Sequence, residues 1–124
     1  MKIVPNSARR RTQTPNAVMT TLVSPTLGGA RLSVWTVAME PGQAGPQHLF
    51  EVEQVWTIQR GAAVVECGGR VVRLNVGDTA VVPAGQLRRF HADDDSGFLA
   101  LVVAPAGRVL MPDGADRGIP DWIA

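Results

Sequence analysis

Cysteine occurs once in the 124 residues, at Cys67, which excludes an internal disulfide and a thiolate metal cluster. An excess of charge of one sign is also missing, since twelve basic residues face eleven acidic ones for a net charge of +1. No field is therefore left to draw in nucleic acid or an anionic membrane. No apolar run approaches the ~18–20 residues that cross a bilayer. Arg9, Arg10 and Arg11 precede no apolar segment of the kind a secretory signal needs, so the sequence reads as cytoplasmic. Helical periodicity is nearly absent too, because Gly or Pro cuts every window that begins an i, i+3, i+4, i+7 pattern.

What is present is turn-rich and apolar. Thirteen Gly and nine Pro without a period accompany a hydrophobic content of 45%. One domain of this length buries roughly two-thirds of its unfolded surface and needs neither metal nor disulfide to fold. Short β-branched runs recur: Ala17 to Val23, Arg31 to Met39, Gln54 to Gln59, Ala62 to Cys67, Arg70 to Leu74, Thr79 to Val82, Arg88 to His91 and Phe98 to Val103. Turn signals separate them, and Gly68-Gly69 predicts a two-residue hairpin because both positions tolerate positive φ. Many short strands in one small domain predict an all-β closed barrel or two-sheet jelly roll with little or no helix. Residues 1–16 read as a polar arm, loose or laid on a neighbour; residues 17–105 form the barrel. Residues 106–124 form an extension packed on the barrel, since Trp122 and Ile123 belong in a groove rather than in water.

Two segments resemble the paired motifs of the cupin superfamily. Gly42, then His48-Leu49-Phe50, then Gln54 and Gly61 keep the spacing of the first motif, in which His-x-His is followed by Glu or Gln and then Gly. Gly77-Asp78 through Pro83-Ala84-Gly85 to Arg88 keeps that of the second, Gly, five residues, Pro-x-Gly-x-x-His. The chain is thus similar to a small single-domain cupin, a cupin-type jelly-roll β-barrel of two antiparallel sheets. That resemblance implies a homodimer, with Ala17 to Val23 the strand exchanged. It also implies a metal site at the positions held here by His48, Phe50, Gln54 and Arg88. Phe50 offers no lone pair and Arg88 brings a fixed positive charge, so the site is read as having lost its ion, with no cofactor in its place.

With strand alternation, His48 and Phe50, then Gln54, Trp56 and Ile58, then Arg88 and Phe90 face the barrel interior if the family's orientation holds. The expected pocket is apolar and aromatic, lined by Phe50, Trp56, Ile58 and Phe90, with an imidazole, an amide and a guanidinium converging in it. His48 is the candidate acid or base, Arg88 the stabiliser of negative charge and Gln54 the group that orients the imidazole or the substrate. The blander alternatives are His48 bonded to Gln54, and Arg88 leaving through the mouth or paired with Glu51 or Glu53. His91 falls on the opposite face, beside Asp93, Asp94 and Asp95.

Three functions stay open at this point. One is metal-independent proton transfer on a small organic substrate, as in a dehydratase, isomerase or cyclase. The second is a non-catalytic binding or sensor module that uses the same pocket to hold an anionic, partly apolar small molecule through Arg88. The third is a metal-dependent oxygenase or isomerase with nonstandard ligands drawn from His48, Gln54, Glu53 and His91.

Overall fold

A computed structural model describes residues 1–124. Eleven strands follow one 3-10 turn at Asn6–Ala8: β1 (Arg10–Gln13), β2 (Val18–Val23), β3 (Leu32–Met39), β4 (Leu49–Phe50), β5 (Gln54–Gly61), β6 (Ala63–Cys67), β7 (Arg70–Leu74), β8 (Thr79–Val82), β9 (Arg88–Ala92), β10 (Phe98–Pro105) and β11 (Val109–Leu110). A six-stranded sheet runs in the order β1-β2-β3-β10-β5-β8, and a three-stranded sheet in the order β7-β6-β9. β4 pairs with β11 as a small third sheet, and every pairing of strands is antiparallel.

Alternation decides which side chains meet. On β3 the buried residues are Ser33, Trp35, Val37 and Met39, and on β10 they are Phe98, Ala100, Val102 and Ala104. The facing three-stranded sheet contributes Ala63, Val65, Leu74, Phe90 and Ala92 to the same contiguous core. Opposed small and large side chains fill the space between the sheets; Ala100 and Val102 on the central strand β10 are fully buried.

Two turns show why glycine is required. Gly68 and Gly69 join β6 to β7 with φ of 57° and 77°, the left-handed pair that a two-residue hairpin needs. Gly61 (φ 68°) ends β5 at the corner where the chain leaves the large sheet for the small one. A Cβ there would collide with the carbonyl of Gly97.

Both ends of the chain are tied in. The arm expected to be loose or laid on a neighbour contributes β1, which runs along β2 with Arg10 paired to Thr21 and Gln13 to Val18, so Arg10–Gln13 is an edge strand of its own chain's sheet. Residues Pro120–Ala124 lie against β2 and β3 and are gripped through their backbone carbonyls. Thr21 Oγ1 donates to Trp122 O at 2.7 Å, Ser33 Oγ to Ile123 O at 2.6 Å and Ser24 Oγ to Ala124 O at 2.6 Å. These hydroxyls are wholly buried, and Ile123 beside them is too. Each of these buried donors is therefore satisfied by the segment it holds.

Candidate functional site

The site starts from one backbone bridge. His48 N–H donates to Arg88 O at 3.1 Å and Arg88 N–H to His48 O at 2.9 Å, so the two residues sit directly opposite each other. Opposed residues of an antiparallel pair project to the same side, which brings imidazole and guanidinium into one cavity. Two residues along, Phe50 and Phe90 follow on that face, and β5 supplies Gln54 and Trp56 from the large sheet. Trp56 stacks on Phe90 at 4.1 Å between ring centroids, closing the gap between the sheets.

The cavity has a volume of about 260 Å³. His48, Phe50, Gln54, Trp56, Arg88 and Phe90 all line it. Ile58 does not. It is 1% exposed and lies in the packed core, further along β5 than the cavity reaches. Much of the wall was invisible to motif reading: Met19, Trp35, Val37 and Met39 from β2 and β3, and Val109, Met111, Pro120 and Trp122 from the C-terminal extension. The alternation Trp35-x-Val37-x-Met39 marked an inward face, whereas no local pattern marks a tail residue as pocket wall.

Arg88 is only 1% exposed and meets no carboxylate. Its Nη2 donates to Gln54 Oε1 at 2.6 Å, and its guanidinium carbon lies 4.5 Å from the centre of the Phe50 ring. The pairing with Glu51 or Glu53 is absent. Both are exposed, and Glu51 Oε1 instead accepts the Arg108 N–H at 2.9 Å. Burial pushes the Arg88 pKa down to about 10, with the Cys67 thiol pulling the other way, and at neutral pH the group keeps its charge.

Gln54 Oε1 also accepts from Trp56 Nε1 at 3.1 Å. Two donors on one oxygen fix the orientation of the amide, so Nε2 is the free end. Gln54 Nε2, Arg88 Nε and Arg88 Nη1 are buried without a partner. All three are donors.

His48 does not bond to Gln54. Its Nδ1 lies 2.8 Å from Pro46 O, and a carbonyl only accepts, so the proton sits on Nδ1 and Nε2 keeps its lone pair in the neutral ring. Desolvation, then the charge of Arg88, push the His48 pKa down to about 4, against the bond to Pro46, which raises it. At pH 7 this is a base, not an acid. His91 points away as expected, but its partner is Glu66, at 3.1 Å from Nε2, rather than the aspartates.

These residues do not fit a divalent ion. Nitrogen and oxygen lone pairs in the wall come from His48 Nε2, from Gln54 Oε1 already accepting two hydrogen bonds, and from half-buried Thr14 and Asn16. Glu53 and His91 stay outside the cavity, and no group of three His, Cys, Asp or Glu side chains converges anywhere in the chain. A catalytic site normally supplies three protein ligands, and here a fixed cation stands among the candidates.

The sequence family described as cupin domain matches residues 35–104. Among solved structures, the fold is similar to the polyketide cyclase RemF from Streptomyces resistomycificus, at 22% identity and a TM-score of 0.71 over 85% of this chain and 79% of that one. It is similar to KdgF from Halomonas sp. at 20% and 0.70, covering 84% and 94% of the respective chains. A cupin 2 domain-containing protein from Halorhodospira halophila gives 23% and 0.74, covering 82% and 74%. No curated protein matches the sequence. At these identities the structural likeness is one of fold.

Proposed function

The chain belongs to the cupin domain family, and from that premise we propose that its cavity binds a small organic anion and moves a proton on it without a metal ion. The observation that carries this reading is the pairing of Arg88, a buried cation with no internal anion, with His48, a neutral base whose tautomer is fixed. His48 Nε2 takes a proton from bound substrate, and Arg88 and the Gln54 amide stabilise the oxygen on which negative charge develops. The proton then returns from His48 to a different atom. Dehydration, isomerisation and cyclisation share that step. The aromatic wall of Phe50, Trp56 and Phe90 keeps water from the charged intermediate. A polyketide cyclase among the structural neighbours shows such a barrel serving small-molecule chemistry.

The reading includes a cytoplasmic homodimer. A lone, unpaired Cys67 suits a reducing compartment, and the exposed Val71, Val76 and Val81 are apolar surface for a second copy to cover. A binding-only role is favoured by one observation: His48 is the one wall side chain whose ordinary pKa lies near neutrality.

One experiment separates the three functions. Untagged protein prepared without chelator is assayed for metal content, then incubated in D₂O with a panel of enolisable carboxylates while exchange is followed by NMR. The expected result is less than a tenth of an ion per chain by order of magnitude, and deuterium incorporation that His48→Asn abolishes while ligand binding persists. Binding without exchange makes the protein a sensor. A stoichiometric transition ion that disappears in His48→Asn overturns the proposal.

A further inference from the structure

The proposed function calls for an anion but leaves its shape and number of charges unspecified, and the cavity wall is more particular than that. Among the residues lining it, Arg88 is the one charged side chain at neutral pH, and no Asp, Glu or Lys accompanies it. One positive charge calls for one negative charge. The unpartnered buried atoms, Gln54 Nε2, Arg88 Nε and Arg88 Nη1, are all donors, so the missing group is one that only accepts.

The guanidinium also dictates a shape. Nη2 carries two hydrogens, and Gln54 Oε1 takes one of them. Whichever it takes, the other remains paired with an N–H of Nη1 or of Nε along one edge of the plane. That edge is a two-pronged donor, the complement of a carboxylate's two oxygens. The remaining wall is apolar and flat-sided, with Trp35, Trp56, Phe90 and Trp122 prominent in it. An apolar cavity of about 150 Å³ admits benzene. By proportion, the 260 Å³ here takes about ten or eleven non-hydrogen atoms at similar packing.

We infer that the natural ligand is a conjugated or aromatic monocarboxylate of about that size, its carboxylate held by Arg88 and Gln54 and its flat body among the tryptophans. This rests on the cavity being a ligand site, as proposed above, and adds that the site selects a single planar anion. Dianions such as phosphate monoesters leave one charge uncompensated, and neutral ligands leave the fork of Arg88 unmatched. With Arg88 charged until the pH approaches 10, the selection holds across the neutral range.

Two probes of equal size test it: trans-cinnamate and its neutral isostere cinnamamide, titrated calorimetrically into the full chain at pH 7.5. The acid binds at least tenfold more tightly than the amide, by the order expected of one charge-assisted pair in a buried site. Arg88→Met brings the ratio near one. Arg88→Lys keeps the charge but not the fork, and lowers the ratio at least threefold; this variant decides the matter should the methionine variant fail to fold. Equal binding of acid and amide to the wild type overturns the inference while leaving a ligand cavity standing. Binding of neither probe overturns both, and a ratio unchanged in Arg88→Lys overturns the role of the fork.

Discussion

Burying Arg88 removes a guanidinium from water and returns one amide oxygen at 2.6 Å and the face of Phe50 at 4.5 Å. The desolvation of an ion in a protein interior costs several kcal/mol, and a desolvated cation over an aromatic face recovers about 2 kcal/mol or more. Neither contact supplies a negative charge, which an anion in the cavity would bring. Gln54 is where this balance can be shifted. Gln54→Glu sets a carboxylate where the amide oxygen already meets Arg88 Nη2, supplying inside the chain the anion that a ligand would bring. The variant gains about 1 kcal/mol of unfolding free energy and loses at least tenfold in cinnamate affinity. Urea denaturation and calorimetry on the same preparation check the two opposite signs. A variant that binds cinnamate as the wild type does shows that Arg88 is not the anion site.

At the scale of elements, the C-terminal extension supplies one side of the cavity. Trp122 forms wall, and its carbonyl is held by the buried Thr21 hydroxyl at 2.7 Å. Thr21→Val keeps the shape and removes the donor, costing the half-buried Trp122 carbonyl its protein partner and about 1 kcal/mol. The expected outcome is faster amide hydrogen exchange at residues 122–124, with β3 and β10 protected as before; equal exchange shows the segment held by packing alone. This element also marks the limit of what the chain discloses before it folds. The eight β-branched runs between Gly and Pro signals became β2, β3 and β5 through β10, because alternation writes burial into adjacent residues. β4 and β11 are two residues each and exist by pairing with one another, Phe50 with Val109 and Leu49 with Leu110, a match no local window contains. β1 is polar, Arg-Arg-Thr-Gln, and its pairing with β2 is carried by the backbone. The site divides along the same line. His48, Gln54 and Arg88 could be placed by motif spacing, since it fixes which strand face each occupies. That Glu51 turns away to Arg108, leaving Arg88 without an anion, depends on where residue 108 returns to the barrel.

For the whole molecule, the titrating groups predict how stability responds to acid, and in two separate steps. His48 has a pKa of about 4 in the fold against an ordinary 6.5. The unfolded chain therefore binds a proton there that the native state refuses, and stability falls as the pH drops from about 6.5 to about 4. Below that both states are protonated and this contribution is spent. The gap corresponds to about 3–4 kcal/mol at most, and the partial exposure of His48 reduces it to about 1–2 kcal/mol. Asp93 is the second group, held down to about 2 from 3.8 chiefly by its hydrogen bond from Arg73, then by the backbone N–H groups of Ser96 and Asp95. Its contribution is present above the ordinary value and is lost as the pH falls through 2, in a window below that of His48. Urea unfolding at intervals from pH 7.5 to pH 2.5 should therefore show an upper decline that belongs to the cavity and a lower one that belongs to the surface. His48→Asn tests the assignment, because an asparagine Nδ2 can still donate to Pro46 O but has no proton to accept. In that variant stability stays level from pH 6.5 to pH 4.5 while the lower decline is retained. If instead the upper decline persists, the imidazole is not the group that the cavity keeps neutral, and the base of the proposed reaction must be sought elsewhere.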